Sequence, residues 1–500
     1  MVKAELVLIP SLGVGHVVTM VEMAKLLVQR DHRLSITVLV MQLSFDTKVP
    51  LYLHSLSLSP LNPNFKIIQF PKVNLSPSKS SSRISLMGSF IKSHKPLVKE
   101  AVTKLIQTES ASGNSPRLAG FVLDMFCADM IEVANDFGVP SYIFYPSSAA
   151  FLGMQLHLQV LCDEQNHPIT ELKDSVTELI VPSLVKPFPV ENLPIVLTEK
   201  EWTTVMFQQA RGYREAKGII VNTFKELESY AVESFSDGKL TNTPPVYTPG
   251  SILNLDGDKI DRGSGGSISI TEIKEWLDDQ PPSSVVFLCF GSMGSFGGDQ
   301  VKEIASALEH SEHRFLWSLR QPPPEGQVGS PTDYANLTDV LPEGFIDRTI
   351  KIGKVIGWAP QISILAHKAI GGFVSHCGWN SVLESVWFGV PIAAWPMYAE
   401  QQFNAFEMVM ELELAVEIKL DYKKDISSDS ATIVSAKDIE KGIKKLMEGD
   451  SKVRKRMAEM SAKSRKAVME GGSSFSSLVC FIDDVMDNIG SKEAKESLPN

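Results

Sequence analysis

Two ionisable residues stand where apolar runs give way to helical patterns. His16 ends the turn Pro10-Ser11-Leu12-Gly13-Val14-Gly15-His16, after the apolar run 6–9 and before a pattern carried by Met20, Met23, Ala24, Leu26 and Leu27. Asp124 ends a second apolar run, 118–123, and Met125-Phe126-Cys127-Ala128-Asp129 opens the helix that follows. A histidine works well as a general base when a carboxylate fixes its tautomer and stabilises its protonated form. Brought to one sheet edge, this pair could take a proton from a hydroxyl. Each residue also has a plainer reading, His16 as a helix cap and Asp124 as an N-cap, and spacing alone leaves both open. Asp129, one turn into the helix, reads as a solvated charge.

A second set of polar residues lies far downstream. His376-Cys377-Gly378-Trp379-Asn380-Ser381 follows the apolar run 372–374, and Glu400-Gln401 follows the run 392–395. Ligands of open α/β sheets bind beyond the carboxyl ends of strands. A helix starting near Trp379 would aim unpaired backbone N–H groups at an anion. The small residues around Ser292, between the buried run 284–290 and a helix, suit a phosphate-approaching loop, although such turns are common. The chemistry expected here is the binding of something phosphorylated. A dinucleotide fingerprint is absent: after Gly13-Val14-Gly15 the place of the third glycine is taken by Val18, and no acidic ribose ligand stands in position. That sets aside a hydride-transferring oxidoreductase.

The elements that must position these residues alternate as βα units do. Strands are expected at 35–40, 66–70, 139–145, 218–221 and 246–250, then at 284–290, 313–319 and 354–356. Helices are expected at 84–107, 198–216, from Phe224, and at 404–410, 437–447, 451–469 and 474–485. Segments 51–64, 74–82 and 321–339 read as loops, and 253–269, crowded with Gly, Asp and Ser, reads as an interdomain linker. At 500 residues the chain suits two domains of about 200–250 residues. The division expected is 1–250, a linker at 251–270, 271–473, a helix at 474–487 returning to the first domain, and a frayed tail at 488–500.

A net charge of −11 with dispersed basic residues argues against nucleic acid or an anionic membrane as partner. The five cysteines are widely spaced and odd in number, which suggests neither a disulfide framework nor a zinc site; Cys377 reads as a small packing residue. No signal segment or membrane-spanning run is evident, and a monomeric cytoplasmic protein is expected. The sequon Asn336-Leu337-Thr338 would then go unused.

The run from Trp358 to Gln401, WAPQISILAHKAIGGFVSHCGWNSVLESVWFGVPIAAWPMYAEQ, resembles the plant secondary-product glycosyltransferase signature of family 1 UDP-sugar glycosyltransferases. PSLGVGH is similar to the family segment with the catalytic histidine, GFVLDMF to the segment with its aspartate, and WLDDQPPSSVVFLCFGS to a further landmark. The resemblance implies an α/β protein of two doubly wound Rossmann-like domains facing a cleft, the GT-B fold. It implies His16 as base, assisted by Asp124. It assigns Trp358 and Ala359 to uracil, Gln361 and Glu384 to ribose, and Ser292, His376, Asn380 and Ser381 to the diphosphate. Trp379, Glu400 and Gln401 would contact the sugar, and the closing Gln suggests glucose.

The implied reaction is a direct displacement with inversion that makes a β-glucoside from UDP-glucose, with no cofactor and no metal. No Asp-x-Asp motif stands at a comparable strand end, and Asp278-Asp279 lies on a helix. Trp387 and Trp395 read as core. A small hydrophobic acceptor, a flavonoid, phenylpropanoid, other phenol or terpenoid, is expected near Met87, Phe126, Tyr145, Phe151 and Leu193, any of which could instead be core. The rival reading is a catalytically silent UDP-sugar or metabolite binder; intact His16 and Asp124 count against it.

Overall fold

A computed structural model describes residues 3–43, 46, 48–58, 60, 62–73, 83–110, 116–164, 177–255, 269–324, 329–424 and 432–496. The expected loop at 74–82 and most of the expected linker, 256–268, lie outside the described residues. The chain divides into two compact units: Met1–Pro168 with Glu199–Asn254 and Lys466–Asn500, and Ile169–Thr198 with Leu255–Arg465.

The first unit is built on β1 (Ala4–Ile9), β2 (Leu34–Val40), β3 (Phe65–Gln69), β4 (Arg117–Asp124) and β5 (Ser141–Tyr145). Two short strands, β6 (Glu178–Leu179) and β7 (Phe188–Pro189), pair with each other and belong to the second unit; β8 (Gly218–Val221) and β9 (Val246–Tyr247) complete the first sheet. Its order is β3-β2-β1-β4-β5-β8-β9, all parallel. β1, β2 and β5 are buried at every residue, as strands covered on both faces must be. Helix Val14–Arg30 lays Val17, Met20, Val21, Ala24, Leu27 and Val28 against the sheet. The C-terminal helix Ser473–Glu496 packs on the same sheet through Leu478, Phe481, Ile482 and Val485. Phe481 meets Tyr142 edge-on at 5.0 Å, and the Tyr142 hydroxyl donates to Asp484 at 2.8 Å.

The second unit holds β10 (Val285–Cys289), β11 (Arg314–Ser318), β12 (Gly353–Ile356), β13 (Ile370–Ser375), β14 (Ile392–Ala394) and β15 (Ala415–Glu417). Their order, β12-β11-β10-β13-β14-β15, is again parallel and repeats the plan of the first sheet. In each sheet the chain starts in the middle, builds outward on one side, then crosses to the other. The switch falls between β1 and β4 in one and between β10 and β13 in the other, which is where such sheets open a crevice for ligands. Trp395 is fully buried among Phe290, Phe296 and Tyr422, as a core residue should be. Trp387 is half-buried, with the Arg465 guanidinium 5.7 Å from its ring centroid.

Several expectations need correction. Segment 51–64, read as a loop, contributes most of helix Lys48–Ser57, whose Val49, Tyr52 and Leu53 are buried. Its start is announced by Asp46, whose carboxylate accepts from the amides of Lys48 and Val49, and by Pro50 in the first turn. No helix begins at Phe224; turns precede a short helix at Ser229–Ser234. The helix expected at 404–410 starts at Gln401 and passes at Glu407–Glu411 into a π-helical turn. The expected tail at 488–500 is helical as far as Glu496. Helix Ala149–Glu164 and strand β15 are additions to the elements expected from the sequence. Among the described residues no helix is long and apolar enough to cross a membrane.

Candidate active site

His16 lies in the first turn of helix Val14–Arg30, directly beyond β1. Gly13 is the N-cap with φ 102°, a conformation that favours glycine, and the cap has no side-chain hydrogen bond. His16 therefore does not cap the helix. Its Nδ1 lies 2.8 Å from Asp124 Oδ2. β1 and β4 are neighbours, so two residues 108 positions apart meet at the switch point of the first sheet. The Asp124 side chain is fully buried and that of His16 is 27% exposed, so the imidazole can meet a ligand while its partner is screened. The other Asp124 oxygen, Oδ1, accepts from the Phe126 amide at 3.1 Å. The capping and pairing roles of Asp124 thus coexist, one oxygen for each.

A carboxylate can only accept, so the proton on the imidazole sits at Nδ1 and the basic lone pair at Nε2. Cys127, nearby, is no rival nucleophile: burial and the adjacent Asp124 charge push its thiol well above its usual range.

In the second unit, the loop after β13 leads into helix Trp379–Phe388, whose N-cap Gly378 contributes no side-chain bond. The His376 ring is tightly enclosed. A Cβ on Gly291, beyond β10, would lie 2.5 Å from His376 Nε2, and one on Gly378 would lie 2.7 Å from it. Burial lowers the His376 pKa to about 4, and its Nδ1 has no hydrogen-bond partner among the described residues. The ring is a neutral imidazole at physiological pH. Ser292, in the loop beside Gly291, is exposed. Ser375 anchors the turn by accepting from the Cys377 amide at 3.1 Å, and Cys377 adopts φ 59°. Its thiol is pushed up to about 12 by burial, consistent with a packing residue.

A further network joins three residues of the signature run. Gln361 Nε2 donates to Ser381 Oγ at 2.9 Å and to Glu384 Oε2 at 2.7 Å. The carboxamide oxygen of Gln401 accepts from the amides of Met397 and Tyr398, both at 3.0 Å, so what it offers a ligand is N–H donors. Asn404, fully buried, donates to the carbonyl of Cys377 at 3.0 Å and to Glu400 Oε1 at 3.4 Å, tying the loop after β13 to the one after β14. Sequence reasoning missed Asn404; its only signal was a polar residue one turn past the signature. Trp379 and Ala359 are buried, and Trp358 and Asn380 are half-buried.

The residues expected to line an acceptor pocket do not share one environment. Phe126 is half-buried with its ring 5.6 Å from that of His16, and Met87 is half-buried on helix Arg83–Ser110. Tyr145 and Phe151 are core, the Tyr145 hydroxyl donating to Gln155 at 2.9 Å. Leu193, also fully buried, belongs to the second unit rather than the first. The reason is tertiary: nearby Phe188 packs on Phe403 and Phe406 at 5.3 and 4.8 Å. Among the described residues no group of three or more His, Cys, Asp or Glu side chains is placed to hold a metal ion. Asp278 accepts from His367 at 3.2 Å.

Residues 270–461 match a family model described as UDP-glucoronosyl and UDP-glucosyl transferase. The chain is 55% identical to UDP-glucose flavonoid 3-O-glucosyltransferase 6 of Fragaria ananassa, over 96% of this chain and 98% of that protein. Among solved structures it resembles a UGT transferase from Siraitia grosvenorii in complex with UDP (TM-score 0.84, 49% identity, 97% of this chain and 100% of that one). It also resembles UGT71G1 of Medicago truncatula complexed with UDP-glucose (TM-score 0.84, 39% identity, 97% of this chain and 98% of that one).

Proposed function

The chain belongs to the plant family 1 UDP-glycosyltransferases, with their GT-B fold, and on that premise we propose that it transfers glucose from UDP-glucose to a hydroxyl of a small phenol. Flavonoids and phenylpropanoids are the first acceptors to try, because the strawberry relative carries a flavonoid in its name. The observation that carries the reading is the 2.8 Å contact of His16 with Asp124 at the end of β4.

In the proposed reaction, His16 Nε2 takes the proton of the acceptor hydroxyl. Asp124 stabilises the imidazolium through Nδ1–H without itself becoming protonated. The acceptor oxygen attacks the anomeric carbon of the donor, the bond to the diphosphate breaks, and the α-linked sugar becomes a β-glucoside. The second unit holds the donor. Trp358 stacks on uracil, and Ala359 backbone groups read its edge. Gln361 and Glu384 bind the ribose hydroxyls. Ser292, Asn380, Ser381 and the amides opening helix Trp379–Phe388 hold the diphosphate together with His376. As a neutral imidazole His376 contributes a directional hydrogen bond and no charge. Trp379, Glu400 and the N–H donors of Gln401 contact the sugar, and Met87 and Phe126 contact the acceptor.

The test is incubation with UDP-glucose and a panel of flavonoids and simple phenols, followed by mass spectrometry for a gain of one hexosyl unit. UDP-galactose and UDP-glucuronate run in parallel check the donor assignment. Tight UDP binding with no product on any acceptor would sink the transferase reading and favour a silent binder.

A further inference from the structure

We infer that Asp333 is a positioning residue for the nucleobase end of the donor site, holding the plane of the Trp358 indole through the Trp358 backbone. The inference rests on the donor reading above, in which Trp358 stacks on uracil. Asp333 lies in the Pro- and Gly-rich excursion between β11 and β12, a stretch the sequence presents as an ordinary surface loop. That loop is closed at its base: Gln321 and Thr332 exchange two backbone hydrogen bonds, at 2.7 and 3.0 Å. Directly after this closure, Asp333 Oδ1 accepts from the Trp358 amide at 3.0 Å. Arg320 holds the same oxygen through Nε at 2.9 Å, and its Nη2 donates to the carbonyl of Pro331 at 2.6 Å. The Arg320 and Asp333 side chains are only 10% and 17% exposed, so the pair is shielded from screening.

The peptide unit joining Gly357 to Trp358 is thereby fixed at both ends. Its N–H donates to Asp333, and its carbonyl accepts from Ser318 Oγ at 2.7 Å. A peptide plane held by two bonds on opposite sides cannot rotate without breaking one, and its orientation sets the direction in which the Trp358 Cα–Cβ bond points. Asp333 is also packed against Gly357 so closely that a Cβ there would lie 2.2 Å from its carboxyl group. Any side chain at position 357 would have to displace this carboxylate. A stacking surface gains little from being near its ligand and much from being parallel to it, so loss of this bond should weaken nucleotide binding without touching the acceptor.

The test is calorimetric titration with UDP of the full-length chain and its variants, together with donor and acceptor kinetics. Asp333→Ala should weaken UDP binding by about tenfold or more, removing a charge-assisted bond and leaving Arg320 unpaired. It should raise KM for UDP-glucose with little change in KM for the phenol. Asp333→Asn keeps the accepting oxygen and should stay within about threefold of the parent. In a Trp358→Ala background, adding Asp333→Ala should change UDP affinity by less than about twofold, because the side chain it positions is gone. Equal UDP affinity in parent and Asp333→Ala overturns the inference. So does an equal loss in the Ala and Asn variants accompanied by a raised acceptor KM, or an undiminished Asp333→Ala effect in the Trp358→Ala background. A parent chain that fails to bind UDP at all instead overturns the donor reading.

Discussion

The two sheets share one plan and place a histidine in opposite surroundings at its switch point. At the switch point of the first, a single imidazole is paired with a buried carboxylate. At the switch point of the second, an imidazole is buried beside two glycines, with its Nδ1 lacking a partner among the described residues. The first arrangement fixes the tautomer of the ring and suits a base. The second keeps the ring neutral and suits a fixed hydrogen-bonding group. The two histidines stand on opposite sides of their switch points: His16 follows β1 and meets the Asp124 that ends neighbouring β4, whereas His376 follows β13 and is enclosed by Gly291 beyond neighbouring β10.

The sharpest way to break this comparison is to remove the reactive histidine. His16→Ala should lower kcat by about a thousandfold or more, since both the base and its pairing vanish. UDP affinity should remain that of the parent, because no donor contact is assigned to the first unit. Turnover within tenfold of the parent on any phenol would end the base assignment. Asp124→Asn comes next, with an expected fall of about a hundredfold or more in kcat, from loss of tautomer control and of imidazolium stabilisation. Asn rather than Ala is the informative change, because its side-chain oxygen can still accept from the Phe126 amide. A pH–rate profile of this variant that matches the parent would show that Asp124 acts only on the turn.

These two sites were not equally legible in the sequence. The residues proposed for the donor, all but Ser292, lie in one run because successive βα units carry them past the same sheet edge. His16 and Asp124 are 108 positions apart, and their meeting depends on β2 and β3 being laid down on the far side of β1. Hydrophobic periodicity shows strands but not their order, so the pair could be suspected only from residue type and from family likeness. Helix Lys48–Ser57 was hidden by its serines, although Asp46 and Pro50 gave a usable start signal. Leu193 could not have been placed from sequence, because Phe188 and its two aromatic neighbours more than 200 positions away decide which unit holds that segment. Asp333 carried no signal at all: an aspartate in a loop is ordinary until Arg320 and Trp358 are seen around it.

A smaller effect is the pH dependence that His376 gives to stability. Burial holds the folded-state pKa of His376 at about 4, below the ordinary 6.5, so the unfolded chain binds this proton more readily. Its contribution to stability is complete above pH 6.5 and declines as pH falls towards 4. The shift corresponds to roughly 3 kcal/mol at most. Thermal unfolding midpoints measured from pH 7 to pH 5 should fall further for the parent than for His376→Gln, which has no such group to protonate. Parallel curves would show that this imidazole does not drive the acid sensitivity.

The finest test compares the glycine beside each histidine. Gly13 has φ 102° and Gly291 φ 75°, so alanine is strained at both by about 1 kcal/mol. They differ in what a methyl group would meet. At Gly13 the Cβ would lie 3.8 Å from His16 Cδ2, an ordinary contact, whereas at Gly291 the Cβ would fall 2.5 Å from His376 Nε2. Gly13→Ala should therefore cost stability with only a modest change in turnover and none in UDP affinity. Gly291→Ala must also displace the His376 ring or the loop bearing Ser292, and should weaken UDP binding by about tenfold, the cost of one misplaced phosphate contact. If both variants bind UDP like the parent, the close fit around His376 is packing alone, and the contrast between a reactive and a fixed histidine rests on the first sheet only.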